Sequence, residues 1–472
     1  MSPLGRLVAL AVVAALAGCG SRGPELVRRL DPQPPGVLIN DVTILDVATG
    51  ALVPHRNVLV AGDRIKAIES TPIPASGAMV VDGTDATLVP GLIDMHGHTG
   101  QSSAPAWAGE FPDPEQNLRA FLYCGVTTVL DPGDSDSDAF ARREKVRRGE
   151  LLGPHVYAAG PIVTGTGSHP VPVIGELTPW WIRWYVVRHF ARQVDTPEEA
   201  RKVADEIAEL GADVMKLAVD RVPAEAPRIK NDVLAAAVAE ARARKLRAVA
   251  HIGTTEDALD AARAGVAMWM HGVYRERVPD DAVATLAGFH IPMVATIGVF
   301  ESYALLNQGP RVATPLEEET ADPETLRAFD HVPEGFSPKM RPFIESLRPL
   351  RPVWRDNVRR LRAAGVTILA GSDPQAGVFP GAALHRELGY LTEAGLTPAE
   401  AIRAATLDAA RFLADGREPD FGLIGVGKRA DLLLVDGDPT SDLGALARIK
   451  LLLQDGLVIE RMPRSNNAGG AT

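Results

Sequence analysis

Cysteine is nearly absent: 472 residues contain only Cys19 and Cys124. A disulfide framework is thereby excluded, and the fold has to be held by packing. Aromatic residues are scarce at 5%, so any cluster of them stands out. Positive charge is in deficit, with 49 Lys and Arg against 60 Asp and Glu, a net charge of −11. A phosphate-binding surface is ordinarily basic, so nucleic acid is not an expected partner. Beyond Ala17 no apolar run is long enough to cross a bilayer as a helix. What remains is ordinary for a globular chain, 46% hydrophobic and 23% charged. The length suits one large barrel with a smaller satellite.

The first nineteen residues stand apart. Arg6 precedes an unbroken apolar run from Leu7 to Ala17, followed by Gly18 and Cys19. That run is too short for a membrane span and the right length for a signal-peptide core. Leu16-Ala-Gly-Cys19 resembles the lipobox of bacterial lipoproteins, whose cysteine is lipidated and becomes the mature N-terminus; a plain secretory signal is the alternative. The resemblance implies a lipid anchor at Cys19 in the bacterial cell envelope. Gly20, where an aspartate would imply inner-membrane retention, points to the outer membrane facing the periplasm. Residues 20–35, rich in Gly, Pro and Arg, read as a tether.

Strand-like text fills 36–90, with turn signals such as Gly62-Asp63 and Asp82-Gly83 between the runs. Similar text returns in 416–463, before a short tail at 464–472. A small β domain made from both chain ends, with something large inserted, is the simplest arrangement. The insert, 91–415, alternates strand and helix, the mark of parallel βαβ units. Eight strands are expected: Leu92–His98, Thr127–Asp131, His155–Val163, Asp213–Val219, Arg247–Ile252, Met268–Val273, Ile291–Ile297 and Thr367–Asp373. Helical text between them includes capping-box pairs at Thr196/Glu199 and Thr397/Glu400. The expected fold is α/β, a TIM (β/α)8 barrel with a small β-sandwich domain. An open doubly wound sheet is disfavoured, because no Gly-x-Gly-x-x-Gly follows the first strand. Two connections are long: 165–195, with the aromatic cluster Trp180-Trp-Ile-Arg-Trp-Tyr185, and 301–352. The cluster suits a substrate lid, a membrane-facing patch or a contact in a homo-oligomer.

Barrel active sites lie at the C-terminal ends of the strands. Those ends carry His96 and His98 (strand 1), Lys216 (strand 4), His251 (strand 5), His271 (strand 6) and Asp373 (strand 8). In an extended strand His96 and His98, two apart, would project side by side. Taken singly, each histidine reads more readily as a satisfied core residue; together they form a donor set suited to zinc or a similar divalent ion. Lys216 lies in the apolar run Val214-Met-Lys-Leu-Ala-Val219. Burial there favours a neutral amine, which can add carbon dioxide to become an anionic carbamate. The alternative is a strand-tip lysine that reaches solvent or pairs with an acid.

With these marks in place the chain resembles the amidohydrolase superfamily from about 36 to 463. The matching text is Pro90-Gly-Leu-Ile-Asp-Met-His-Gly-His98, Gly211-Ala-Asp-Val-Met-Lys216, Ala250-His251, Met270-His-Gly272, Gly371-Ser-Asp-Pro374 and Gly425-Val-Gly-Lys-Arg-Ala-Asp431. Lys216 and the loop Gly165-Thr-Gly-Ser-His169 resemble the imidazolonepropionase-like and Xaa-Pro-dipeptidase-like branch. The resemblance implies one metal on His96, His98 and Asp373 and another on His251 and His271. A carbamate on Lys216 and a hydroxide would bridge them. It further implies Asp373 as proton carrier and His169 as a residue that holds or polarises the substrate; a solvent-facing loop histidine is the alternative for His169. The loop departs from the usual pattern, reading Gly-Ser-His where Gly-Gly-His is common. The implied function is metal-dependent hydrolysis of an amide bond in a small molecule, a dipeptide or N-acyl amino acid. Competing readings are a cyclic amidase, imidase or lactonase, and a catalytically silent envelope-anchored binding protein.

Overall fold

The computed structural model describes residues 23–74, 76–178, 180–334, 340–462 and 464. The expected signal peptide with Cys19, Pro179 and the tail beyond 464 lie outside the described residues.

Both chain ends build one nine-stranded sheet. Strand Leu432–Asp436 shows why it folds: Leu432 and Leu434 face the interior of the β domain with Val37, Ile39, Val58 and Leu453. Leu433 and Val435, one residue out of phase, join the core shared with the barrel. Both faces of this strand are therefore buried, which matches its unbroken apolar text. The expected tether is corrected here. Val27–Arg29 is a strand, paired antiparallel with Leu457–Arg461, and Leu26 and Val27 are buried. Pro- and Gly-rich surroundings masked a short strand whose two apolar residues complete a sheet edge.

The insert is the expected barrel. Parallel pairing runs from Leu92–Asp94 through Val126–Asp131 to His155–Ala158. It continues from Ile162–Thr164 through Val214–Ala218, Arg247–His251, Met268–Met270 and Met293–Val294 to Ile368–Leu369. Backbone bonds from Met95 N to Ala370 O (3.0 Å) and Asp213 N to Ala158 O (2.9 Å) close the ring. Its lower interior is filled by Ile93, Leu130, Val214, Val249, Met268, Val294 and Leu369, so it is a packed core and not a pore. The expected third strand, His155–Val163, is two strands, because Pro161 has no N–H for the ladder. The sixth, seventh and eighth strands are also shorter than expected.

Helix Pro197–Glu209 begins at the Thr196 capping box and Pro398–Ala404 at the Thr397 box, as their spacing predicts. The two long connections are folded rather than open. The first carries helices Val171–Leu177 and Arg183–Phe190 and then strand Ala191–Gln193. The second carries Pro315–Thr320, Pro323–Arg327 and Arg341–Leu347.

Candidate metal centre

Alternation along each strand aims the side chains. Val214 and Val249 point into the barrel, so Lys216 and His251, two residues further on, point the same way. His271 departs from this rule. It follows inward-facing Met270 directly and would point outward, but its backbone is left-handed (φ 74°). Asp373 (φ 56°) and Thr296 (φ 47°) share that conformation, which costs free energy in non-glycine residues and is concentrated at working sites. Strand 1 corrects an expectation: it ends at Asp94, so His96 and His98 lie in the turn beyond it. Their rings still converge, 5.1 Å apart. Gly371 permits this approach, since a Cβ there would lie 2.8 Å from His96 N.

All six residues are buried. His98 Nε2 lies 3.2 Å and His96 Nε2 3.6 Å from Asp373 Oδ1; His271 Nδ1 lies 3.9 Å from Oδ2. The His251 and His271 rings are 4.2 Å apart, and those of His96 and His271 4.6 Å. The tightest set is His96, His271 and Asp373, with ligand atoms within 4.8 Å of one another. It cuts across the pairing of His96 with His98 that the resemblance implies.

Neighbouring groups fix which ring nitrogens are free. His98 Nδ1 donates to Gly133 O (3.0 Å), leaving Nε2 to face Asp373. His271 Nδ1 is 2.7 Å from Thr296 Oγ1, and His251 Nε2 is 3.5 Å from Asp220 Oδ2. Such outer partners orient metal-binding imidazoles. Asp94 does similar work on the backbone, accepting from His96 N and Ser372 N (3.0 Å each) and from the Ser372 hydroxyl. Asp94, Asp131, Asp220 and Thr296 were not among the residues expected at the site. The acids at the ends of strands 2 and 4 carried a signal, because each is an ionisable group at the end of an apolar strand.

Burial and ion pairing shift the titrating groups of the site. Burial lowers the pKa of His98, but bonds to Asp131 and Asp373 outweigh it and raise the ring to about 9. Burial pushes His96, His251 and His271 down, as neutral ligands require. Burial likewise lowers Lys216 to about 7. No carboxylate among the described residues lies within 4 Å of its amine, so the acid-paired alternative is not observed. His96 Nδ1 is buried without a hydrogen-bond partner. A buried orphan polar atom is rare, and at a histidine of this donor set it suits a divalent cation. His169, the loop residue, is part-buried rather than solvent-facing; its ring lies 4.5 Å from that of His251 and its Nδ1 also lacks a partner.

A second cluster, His155, Asp431 and Asp455, has ligand-like spacing. There Arg429 Nε already sits 2.6 Å from Asp431, so the positive charge is built in.

The amidohydrolase family model matches residues 87–460, most of the chain. The protein belongs to the amidohydrolase family. Over 82 residues it is 40% identical to an imidazolonepropionase of Geobacillus sp., a match covering 17% of this chain and 19% of that protein. It is 24% identical over 429 residues to adenine deaminase 2 of Rhizobium etli, covering 90% of this chain and 57% of the relative. The chain thus spans only part of these two relatives. A crystal structure of a Xaa-Pro dipeptidase with methionine bound in its active site superposes with a TM-score of 0.71 at 25% identity, covering 90% of this chain and 100% of that one. Membership of this family agrees with the barrel and β-sandwich expected from sequence.

Proposed function

We propose that the protein is a binuclear metal-dependent hydrolase that cleaves an amide bond of a dipeptide or N-acyl amino acid. The observation that carries this reading is the gathering of four histidines, Lys216 and Asp373 at the barrel mouth, all buried, with ligand atoms of His96, His271 and Asp373 within 4.8 Å of one another. The likeness to a Xaa-Pro dipeptidase supports the substrate class. His96, His98 and Asp373 would hold one ion, and His251 and His271 the other. Bound divalent ions, zinc by the donor set, supply Lewis acidity that acidifies water and polarises a carbonyl.

The chain's own groups do the rest. A neutral Lys216 amine would add to carbon dioxide, forming an N–C bond and releasing one proton to solvent, and the carbamate would add anionic oxygens to the donor set. Asp373 accepts a proton from the attacking water and returns it to the leaving nitrogen as the C–N bond breaks. His169, whose ring lies 4.5 Å from that of His251, would hold or polarise the substrate. Asp220 fixes His251: burial raises its carboxyl, but His251 and Arg275 outweigh that and hold it at about 2, so it stays anionic. We further propose lipid anchoring at Cys19 in the bacterial outer membrane.

The test is a screen of the purified protein against dipeptides, N-acyl amino acids, cyclic imides and lactones, with and without added zinc. Zinc-dependent release of an amino acid from the first two classes is expected. Turnover confined to lactones or cyclic imides, or none at all, overturns the proposal.

A further inference from the structure

The barrel mouth carries the apolar face of this molecule. Twelve large apolar side chains are exposed among the described residues. Seven of them, namely Phe111, Leu305, Val312 and four aromatics between 180 and 185, belong to segments that follow barrel strands at the mouth. Trp180 is 83% and Trp184 68% exposed, with Trp181 and Tyr185 beside them. Helix Arg183–Phe190 presents the later two, and Trp184 meets Tyr185 edge to face at 5.9 Å. The segment from Trp180 to Phe190 contains Arg183 and Arg188, both exposed, and no acidic residue, in a chain of net charge −11. Amphipathic indole and phenol rings flanked by arginine suit the headgroup zone of an anionic bilayer.

The chain's other end points the same way. Gly23 packs on Gln116, in the first turn of helix Pro114–Tyr123, which starts at the mouth side of strand 1. From Cys19 to Gly23 is four residues, at most about 14 Å even if fully extended. A lipid on Cys19 would therefore hold the mouth face close to its bilayer.

We propose that Trp180, Trp181, Trp184 and Tyr185 seat the barrel mouth in the headgroup zone of a phospholipid bilayer, with the entrance to the metal centre beside them. The choice of a bilayer over a second copy of the chain rests on the anchoring proposed at Cys19, and the test separates the two. Full-length protein is reconstituted in vesicles of phosphatidylethanolamine and phosphatidylglycerol, with either ordinary or brominated acyl chains, and tryptophan emission is recorded. Brominated lipid should quench part of the wild-type emission, and the triple variant Trp180→Ser, Trp181→Ser, Trp184→Ser should lose that quenching. Its remaining Trp107, Trp269 and Trp354 are part-buried or buried. Equal wild-type emission in both vesicles overturns the proposal, as does equal fractional quenching in the triple variant. If that variant does not fold, Trp184→Ser alone must lose part of the quenching. A fall in particle mass of the variant without any wild-type quenching would assign the patch to a second copy instead. Mass spectrometry of Cys19 on the same sample reads the anchor separately: quenching without lipid withdraws the anchor and keeps the docking.

Discussion

In the proposed mechanism Asp373 combines two duties that one substitution can separate. As a ligand it needs an oxygen, and as a proton carrier it needs a carboxylate. Asp373→Asn is expected to keep much of the metal yet lose ~10²–10⁴-fold in turnover, the usual size of a general acid–base contribution. Near wild-type turnover would remove the proton-carrier role. Most of this centre was legible residue by residue, because Lys216 and His251 lie two positions beyond inward-facing valines. His271 and Asp373 were placed by the ends of their expected strands, the sixth and the eighth. Their left-handed backbones were not legible, since no residue type announces a strained φ at the end of a strand. Asp94 was in plain view within Ile93-Asp94-Met95-His96, but its role as a clasp between strands 1 and 8 depends on which backbone amides meet it.

The strand ends show what a pattern of apolar alternation can and cannot specify. It locates each barrel strand but not where the strand leaves the sheet: strand 1 departs at Asp94, and strand 7 gives way to a helix at Ile297. These early departures create the turns that carry His96, His98 and Thr296. Thr296 holds the His271 ring through its hydroxyl, so Thr296→Val should weaken metal binding by about 10–100-fold while leaving the fold intact, as loss of an outer partner usually does. Competition with a metal-sensitive dye measures it, and unchanged affinity would deny Thr296 that role. The tether was misread because composition speaks for the average of sixteen residues, whereas the sheet edge needed three.

The molecule as a whole is held together where the β domain meets the barrel, and one ionic cluster there makes a pH prediction. His155 lies 3.3 Å from Asp455 and 3.5 Å from Asp431. Burial lowers its pKa, but the two carboxylates outweigh this and raise it to about 9. A ring whose folded pKa exceeds its unfolded value of about 6.5 stabilises fully below that value. That contribution is then lost as pH rises through about 9. Thermal unfolding between pH 6 and 9.5 should therefore fall more steeply for wild type than for His155→Gln, and parallel curves would contradict this.

The proposed two-ion centre depends on Lys216, so the metal content of wild type, Lys216→Ala and Lys216→Arg tests it. About two ions per wild-type chain are expected. Both variants should hold fewer, with partial recovery of metal and activity in Lys216→Ala on adding a short-chain carboxylic acid. A guanidinium cannot be carboxylated, so Lys216→Arg should not recover. Unchanged metal stoichiometry in Lys216→Ala would contradict the account.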